Sequence, residues 1–167
     1  MADFKLYAPT LARWEGGWVD NKKDLGGATC KGVTLATFRQ FYGSQRTKED
    51  LRNITDGQWE FIMKTYWDRC KADQIRNQSI AEILVDWHIN AGLNAIKNFQ
   101  KACMLDADGI IGAKSLAVLN SPNAEVIFNR IKEAREDYYR RIALGNPSQN
   151  IFLAGWLNRT NSFTFHE

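Results

Sequence analysis

Residues 14–34, WEGGWVDNKKDLGGATCKGVT, form the stretch that decides the fold. Two glycine pairs, at 16–17 and 26–27, interrupt any helical spacing of apolar residues. The β-branched residues Val19, Thr29 and Val33 accompany them. Glycine pairs favour loops, and short runs with β-branched residues favour strands. The stretch therefore predicts a glycine-rich loop that contains a short β-hairpin.

The sequence on both sides of this stretch predicts a mainly α fold, because apolar residues recur at spacings of three and four. The first apolar stripe ends at the glycine pair 16–17, although Pro9 should kink that helix or delay its start. Segment 80–91 is apolar over much of its circumference and is expected to be the central helix. Later helices are predicted around 94–105, 113–120, 124–144 and 150–158.

Polar residues that cap helices locate several helix starts. Thr34 and Thr47 directly precede helical patterns. The segments 55–58 (TDGQ) and 79–82 (SIAE) have the spacing of a capping box, in which a hydroxyl and a Gln or Glu satisfy backbone amides reciprocally. We therefore expect helices to begin at each of these four places.

Composition excludes several classes of function. A net charge of +3 without a basic stripe argues against a nucleic-acid partner. Three widely spaced cysteines without a CxxC pair predict neither a disulfide framework nor a zinc site, so no metal and no cofactor are expected. No stretch reaches the roughly 18 apolar residues of a membrane span, and no signal peptide is recognisable. We expect a monomer made as a soluble cytoplasmic chain, which another route must deliver to any substrate beyond the membrane.

Glu15 is the first candidate for chemistry. It ends the first helical stripe, precedes two glycines and is flanked by Trp14 and Trp18. Apolar neighbours raise the pKa of a carboxyl by desolvation, which a general acid working near neutral pH needs. The plain alternative is a solvated Glu at a helix end.

A glycosidase also needs a second carboxyl that stays ionised, to activate water or to stabilise positive charge on the sugar. Asp24, before the glycine pair 26–27, is the first candidate for this role, and Asp20 is a weaker rival. An Asp before two glycines is also a common turn former.

Motifs along most of the chain resemble the glycoside hydrolase family 108 muramidases, which include phage endolysins and hold the catalytic Glu in an EGGY-like motif. The motifs are EGGW at 15–18, DLGGAT at 24–29, GVT at 32–34, YWD at 66–68, DWHINAG at 86–92, FQ at 99–100, DGIIG at 108–112 and GWLNR at 155–159. They stand in the family's order.

The resemblance implies a lysozyme-like fold and hydrolysis of the bond between N-acetylmuramic acid and N-acetylglucosamine in peptidoglycan, with Glu15 as proton donor. Asp24 and Thr29 stand at offsets similar to those of the Glu, Asp and Thr triad of phage lysozymes. Peptidoglycan glycan strands are the implied partner. The residues assigned to substrate binding are Gly16, Gly17, Trp18, Thr34, Asp86 and Asn90.

The resemblance also implies two lobes, a catalytic lobe over 1–92 and a helical peptidoglycan-binding-like lobe over 93–167, packed as one compact unit. In the second lobe, residues 106–109 predict a turn between two helices. The charged run 132–141 places Glu136 four residues before Arg140, and Asp137 four before Arg141. That spacing is most simply a solvated helix face.

Two other functions stay open. A lytic transglycosylase uses one essential acid and makes an anhydro-sugar without water, and the presence of Asp24 argues mildly against it. A non-catalytic wall-binding or secretion-assisting protein would keep the fold and use its cleft for attachment. The joint presence of Glu15, Asp24 and Thr29 argues against that reading.

Overall fold

A computed structural model describes residues 1–20 and 27–167. These residues form two compact units, Lys5–Thr65 and a second that joins Met1–Phe4 to Tyr66–Glu167. The fold is mainly α, with a small antiparallel sheet after the first helix, which confirms the predicted fold class. No helix within the described ranges is long and apolar enough to cross a membrane.

The first unit contains the sheet and the short helices around it. Its elements are α1 (Phe4–Glu15), β1 (Trp18–Asp20), β2 (Ala28–Cys30), β3 (Val33–Thr34), α2 (Leu35–Tyr42), α3 (Lys48–Arg52) and the start of α4 (Asp56–Arg69). The strands run antiparallel in the order β1-β2-β3, with Trp18 opposite Cys30 and Thr29 opposite Thr34. Pro9 lies inside α1 without ending it.

Three of the predicted helix starts in this unit are confirmed. The Thr34 hydroxyl accepts from the Thr37 backbone amide at 3.1 Å and caps α2. Thr47 forms a capping box with Asp50 at the start of α3. At residues 55–58, the hydroxyl and the amide side chain accept reciprocally from each other's backbone amides, at 3.1 and 3.0 Å. Each cap satisfies donors that the first helical turn leaves without a partner.

The second unit is wholly helical apart from its loops. Its helices after α4 are α5 (Gln78–Ala91), α6 (Leu93–Ala102), α7 (Ala113–Leu119), α8 (Ala124–Gly145) and α9 (Asn150–Ser162). Residues 79–88, apart from Glu82, are all buried, and α5 packs against α6 and α8, so α5 lies in the core of this unit. Helix α8 packs against α6, α7 and α9 as well as α5, so the two helices share the central place that was predicted for α5 alone. The predicted lobe boundary after Gly92 falls between α5 and α6, and both helices belong to this unit.

The predicted capping box at residues 79–82 is wrong. Helix α5 begins two residues earlier than that box requires, and Asn77 is its cap, with its side-chain oxygen accepting from the Ile80 amide at 3.1 Å. The Ser79 hydroxyl instead accepts from the backbone amide of His166 at 3.0 Å. The hydroxyl that the local pattern assigned to the helix cap therefore binds the C-terminal segment.

Candidate active site

Glu15 is the last residue of α1, and its side chain is half-buried. Gly16 follows with φ +65°, a left-handed conformation that glycine adopts without strain and that commonly ends helices. Trp14 and Trp18, on either side in sequence, are also half-buried. The predicted acid therefore stands where the helix gives way to β1, between two large aromatic side chains in the sequence.

A two-residue turn joins β2 to β3 next to this helix end. Lys31 and Gly32 both have positive φ, +48° and +78°, between the paired residues Cys30 and Val33, which is the pattern of a type I′ hairpin turn. The Trp59 indole donates to the Lys31 carbonyl at 2.9 Å from helix α4. Because Trp59 is itself buried, this bond fixes the turn to the body of the unit.

The Glu15 carboxyl lies directly against the backbone of Gly32. A Cβ atom at position 32 would stand 2.7 Å from the Glu15 Cδ, 3.1 Å from its Cγ and closer still to Oε2. No side chain fits there unless the carboxyl moves. Gly32 is therefore required for two reasons, the left-handed turn and the space that the carboxyl occupies.

The glycines before β1 leave open space beside the carboxyl. Gly16 and Gly17 are exposed, and a Cβ at either would meet no other atom of the described chain within 4 Å. Packing within the described ranges thus does not explain Gly17, whereas the close approach of a ligand to the backbone would. A substrate contact at Gly16 or Gly17 stays a prediction.

Helix α3 supports the strand that carries Trp18. The Arg52 guanidinium lies 5.7 Å from the centroid of the Trp18 ring, within the range of a cation–π contact. The Lys48 ammonium lies 3.1 Å from both carboxylate oxygens of Asp20 at the end of β1. The sequence patterns did not point to Arg52, because α3 and β1 are far apart in the chain.

Asp24, the predicted second acid, lies outside the described residues. Its rival Asp20 lies on β1 and is held by Lys48. Thr29, the third predicted catalytic residue, is half-buried in the middle of β2, where Ala28 and Cys30 on either side are buried. Strand alternation therefore points Thr29 to the face opposite those two.

The remaining predicted substrate residues hold structural contacts. Thr34 uses its hydroxyl as the cap of α2. In the second unit, Asp86 is fully buried, and it accepts from Arg135 at 2.7 Å and from Arg159 at 2.6 Å. Asn90 is exposed and donates to the Asp86 carbonyl at 2.8 Å. A substrate contact of Thr34, Asp86 or Asn90 stays a prediction. The partners observed for these side chains explain why such residues stand there even if no substrate binds to them.

Comparison with known families agrees with this arrangement. The model of the family described as "Glycosyl hydrolase 108" matches residues 8–92, which include most of α1, the sheet and α5. The chain belongs to this glycosyl hydrolase family. The family 108 assignment thus covers Glu15, Gly32 and Thr29, and the predicted family resemblance is confirmed.

A second family model, described as "Predicted Peptidoglycan domain", matches residues 94–161. Among solved structures, the family 108 chain is similar to the one titled "Structure of Brucella abortus SagA", with 29% identity and a TM-score of 0.76. That match covers 96% of this chain and 94% of the other. No curated protein sequence matches the chain at a significant level. Together the two families support a peptidoglycan-related hydrolase role.

Proposed function

We propose that the chain is an N-acetylmuramidase, which hydrolyses the bond between N-acetylmuramic acid and N-acetylglucosamine with Glu15 as general acid. The observation that carries the proposal is the position of the Glu15 carboxyl. It lies at the end of α1 against the backbone of Gly32, and the two glycines that follow it have open space around them. A carboxyl that lies against the backbone, with open space next to it, can reach the oxygen of a bound glycosidic bond.

In the proposed reaction, Glu15 donates its proton to the glycosidic oxygen as the bond to the sugar breaks. Positive charge then develops on the sugar ring, and an ionised carboxylate must stabilise it or activate water. We assign this role to Asp24, with Thr29 positioning the water or the transition state. Trp18, three residues after the acid, offers an apolar surface for a sugar ring, and the Arg52 guanidinium lies over the Trp18 ring.

The substitution Glu15→Gln tests the assignment, because Gln keeps the shape of the side chain but cannot donate the proton. Loss of a general acid costs roughly 10²–10⁴-fold in rate. Glu60→Gln is the matched control, since Glu60 is an exposed carboxylate on α4 in the same unit. Clearing of purified cell wall should persist in the control and nearly vanish in Glu15→Gln. Clearing that persists in Glu15→Gln would remove Glu15 from the mechanism.

The same digests separate the alternatives by their products. A hydrolase releases reducing muramic acid ends, whereas a lytic transglycosylase releases anhydro-sugars, and mass spectrometry distinguishes the two. A non-catalytic wall-binding protein would bind the wall and release neither. We expect reducing ends, produced by a monomer of the endolysin type that acts at the bacterial wall.

A further inference from the structure

A charged groove runs between helices α6 and α8 in the second unit, within the segment that matches the peptidoglycan domain. Its volume is about 790 Å³, a size typical of ligand sites. Its charged lining consists of Lys101, Arg130, Glu133, Asp137, Arg140 and Arg141. All six are exposed, and cations outnumber carboxylates two to one.

The cations of this groove are not neutralised by their neighbours along the helix. Among residues 1–20 and 27–167, no ion pair joins Glu136 to Arg140 or Asp137 to Arg141, in line with the solvated helix face that the spacing predicted. Arg141 instead donates to the backbone carbonyl of Asp137 at 3.3 Å and to the Asn98 side chain at 2.9 Å. These bonds orient a guanidinium in the groove without pairing it directly with a carboxylate among the described residues.

The loop at 105–112 in the same unit differs in this respect. The Asp108 carboxylate accepts from Gln100 at 2.8 Å and from the Ile110 backbone amide at 2.9 Å. Gln100, which is buried, also accepts from the Gly109 amide at 2.9 Å and so closes the loop on itself. The polar groups of this loop hold its own conformation, whereas the cations of the groove point to an outside partner.

We infer that the groove between α6 and α8 binds the peptide stems of peptidoglycan through their carboxylates. A stem peptide is short and carries several carboxylates together with free amines, which suits a lining of four cations and two carboxylates. The uncharged regions of a glycan strand offer hydrogen-bonding groups but no charge to pair with such a lining. The inference rests on the proposed function for its substrate, and it assigns the second unit to the peptide while the first acts on the glycan.

The test measures binding of a sugar-free stem tetrapeptide to the full chain by NMR titration. The variant is Lys101→Gln with Arg140→Gln, because neither side chain has a hydrogen-bond partner among the described residues. The matched control is Lys71→Gln with Arg76→Gln, which removes two exposed charges of the same unit outside the groove. A second probe is the same tetrapeptide with its carboxylates converted to amides.

We expect the tetrapeptide to bind with a Kd of about 1 mM or tighter and to shift amide signals of α6 and α8. The groove variant should bind it at least about tenfold more weakly, the control should bind it as the wild type does, and added salt should weaken binding. The amidated peptide should bind as weakly as the groove variant binds the free one. Arg130→Gln, tested in the same way, keeps the inference open to refutation if the double variant unfolds.

Three results would overturn the inference: no binding, equal binding of the amidated peptide, or equal weakening in the control pair. Cleavage of wall glycan is scored separately with the wild-type chain. Cleavage without peptide binding would refute the role of the groove and support the muramidase proposal. Peptide binding without cleavage would support the role of the groove and refute the muramidase proposal.

Discussion

Replacing Gly32 with Ala is the most direct test of the active-site geometry. The added Cβ would stand 2.7 Å from the Glu15 Cδ, a separation that real Cβ contacts do not reach. The clash involves the terminal group of a flexible side chain, so rotation of Glu15 relieves it at a smaller cost than a shift of the backbone would. The substitution therefore moves the proposed acid while leaving its chemistry intact.

Two magnitudes follow for Gly32→Ala. Alanine at φ +78° costs about 1–2 kcal/mol of stability, because its Cβ crowds the following carbonyl. A loss of 1 kcal/mol lowers Tm by roughly 2–4 °C in a chain of this size, so the variant stays folded at ordinary assay temperatures. A misplacement of about 1 Å at a reacting group can cost on the order of 10²-fold in rate. We expect activity to fall by about that factor.

Gly43→Ala provides the matched control for strain. Gly43 also has positive φ, +110°, in the same unit, and a Cβ there would meet the Gln45 side chain, 2.9 Å from its Cδ. Both substitutions thus combine a left-handed alanine with a clash against a flexible side chain. Only Gly32→Ala touches Glu15, so only this variant should lose activity in the wall-clearing and reducing-end assays. Thermal melting should show at least as large a destabilisation in Gly43→Ala, because φ 110° with ψ 145° is a conformation that essentially only glycine adopts.

Equal activities of the two glycine variants would refute the proposed role of the Glu15 position. Gly32→Asn separates the two requirements further, since Asn tolerates positive φ but still carries a Cβ. It should therefore retain more stability than Gly32→Ala and lose comparable activity. Recovery of full activity in Gly32→Asn would show that the turn conformation alone explains this glycine.

Two further predictions concern the buried polar groups of the second unit. Asp86→Asn should lower the free energy of unfolding in urea by about 3–5 kcal/mol, because it leaves the cations of Arg135 and Arg159 without their buried counter-charge, and a loss below about 1 kcal/mol would contradict this. Burial lowers the pKa of His88 from its usual 6.5. Below pH 6.5 the unfolded chain therefore binds a proton at this residue that the folded chain does not bind. The free energy of unfolding should fall as the pH is lowered from 7.5 to 5.5. His88→Asn, which can still donate to the Gly92 carbonyl, should show a smaller fall between the two pH values.

Local signals in the sequence predicted the features that depend on neighbours in the chain. The caps at Thr34 and Thr47 and the hairpin near Thr29 each need only a few consecutive residues, and the structure confirms them. The prediction at Ser79 failed because its hydroxyl bonds to His166, 87 residues later in the chain. Whether a hydroxyl caps a helix depends on which backbone amide donates to it. An amide from a distant segment cannot be predicted from the residues next to the hydroxyl.

Contacts between distant segments also explain what the sequence left out of the site. Gly32 is 17 positions after Glu15, and a lone glycine in a hairpin motif predicts a turn but not a carboxyl resting on it. Trp59 entered the sequence pattern as part of an apolar stripe, yet its indole also donates to Lys31 and anchors that turn. Both contributions appear only when the hairpin, α1 and α4 are brought together.

The motif GVT at 32–34 shows how a short family motif divides into separate physical tasks. Gly32 gives room to the Glu15 carboxyl, Val33 is buried opposite Cys30, and Thr34 caps α2. Only the first of these bears on the proposed chemistry. Since the cap explains why a hydroxyl stands at 34, the family motif by itself does not argue for a substrate contact there. Within this motif only Gly32 therefore bears on the proposed catalysis: its positive φ already favours glycine, and the Glu15 carboxyl occupies the space that a side chain there would need.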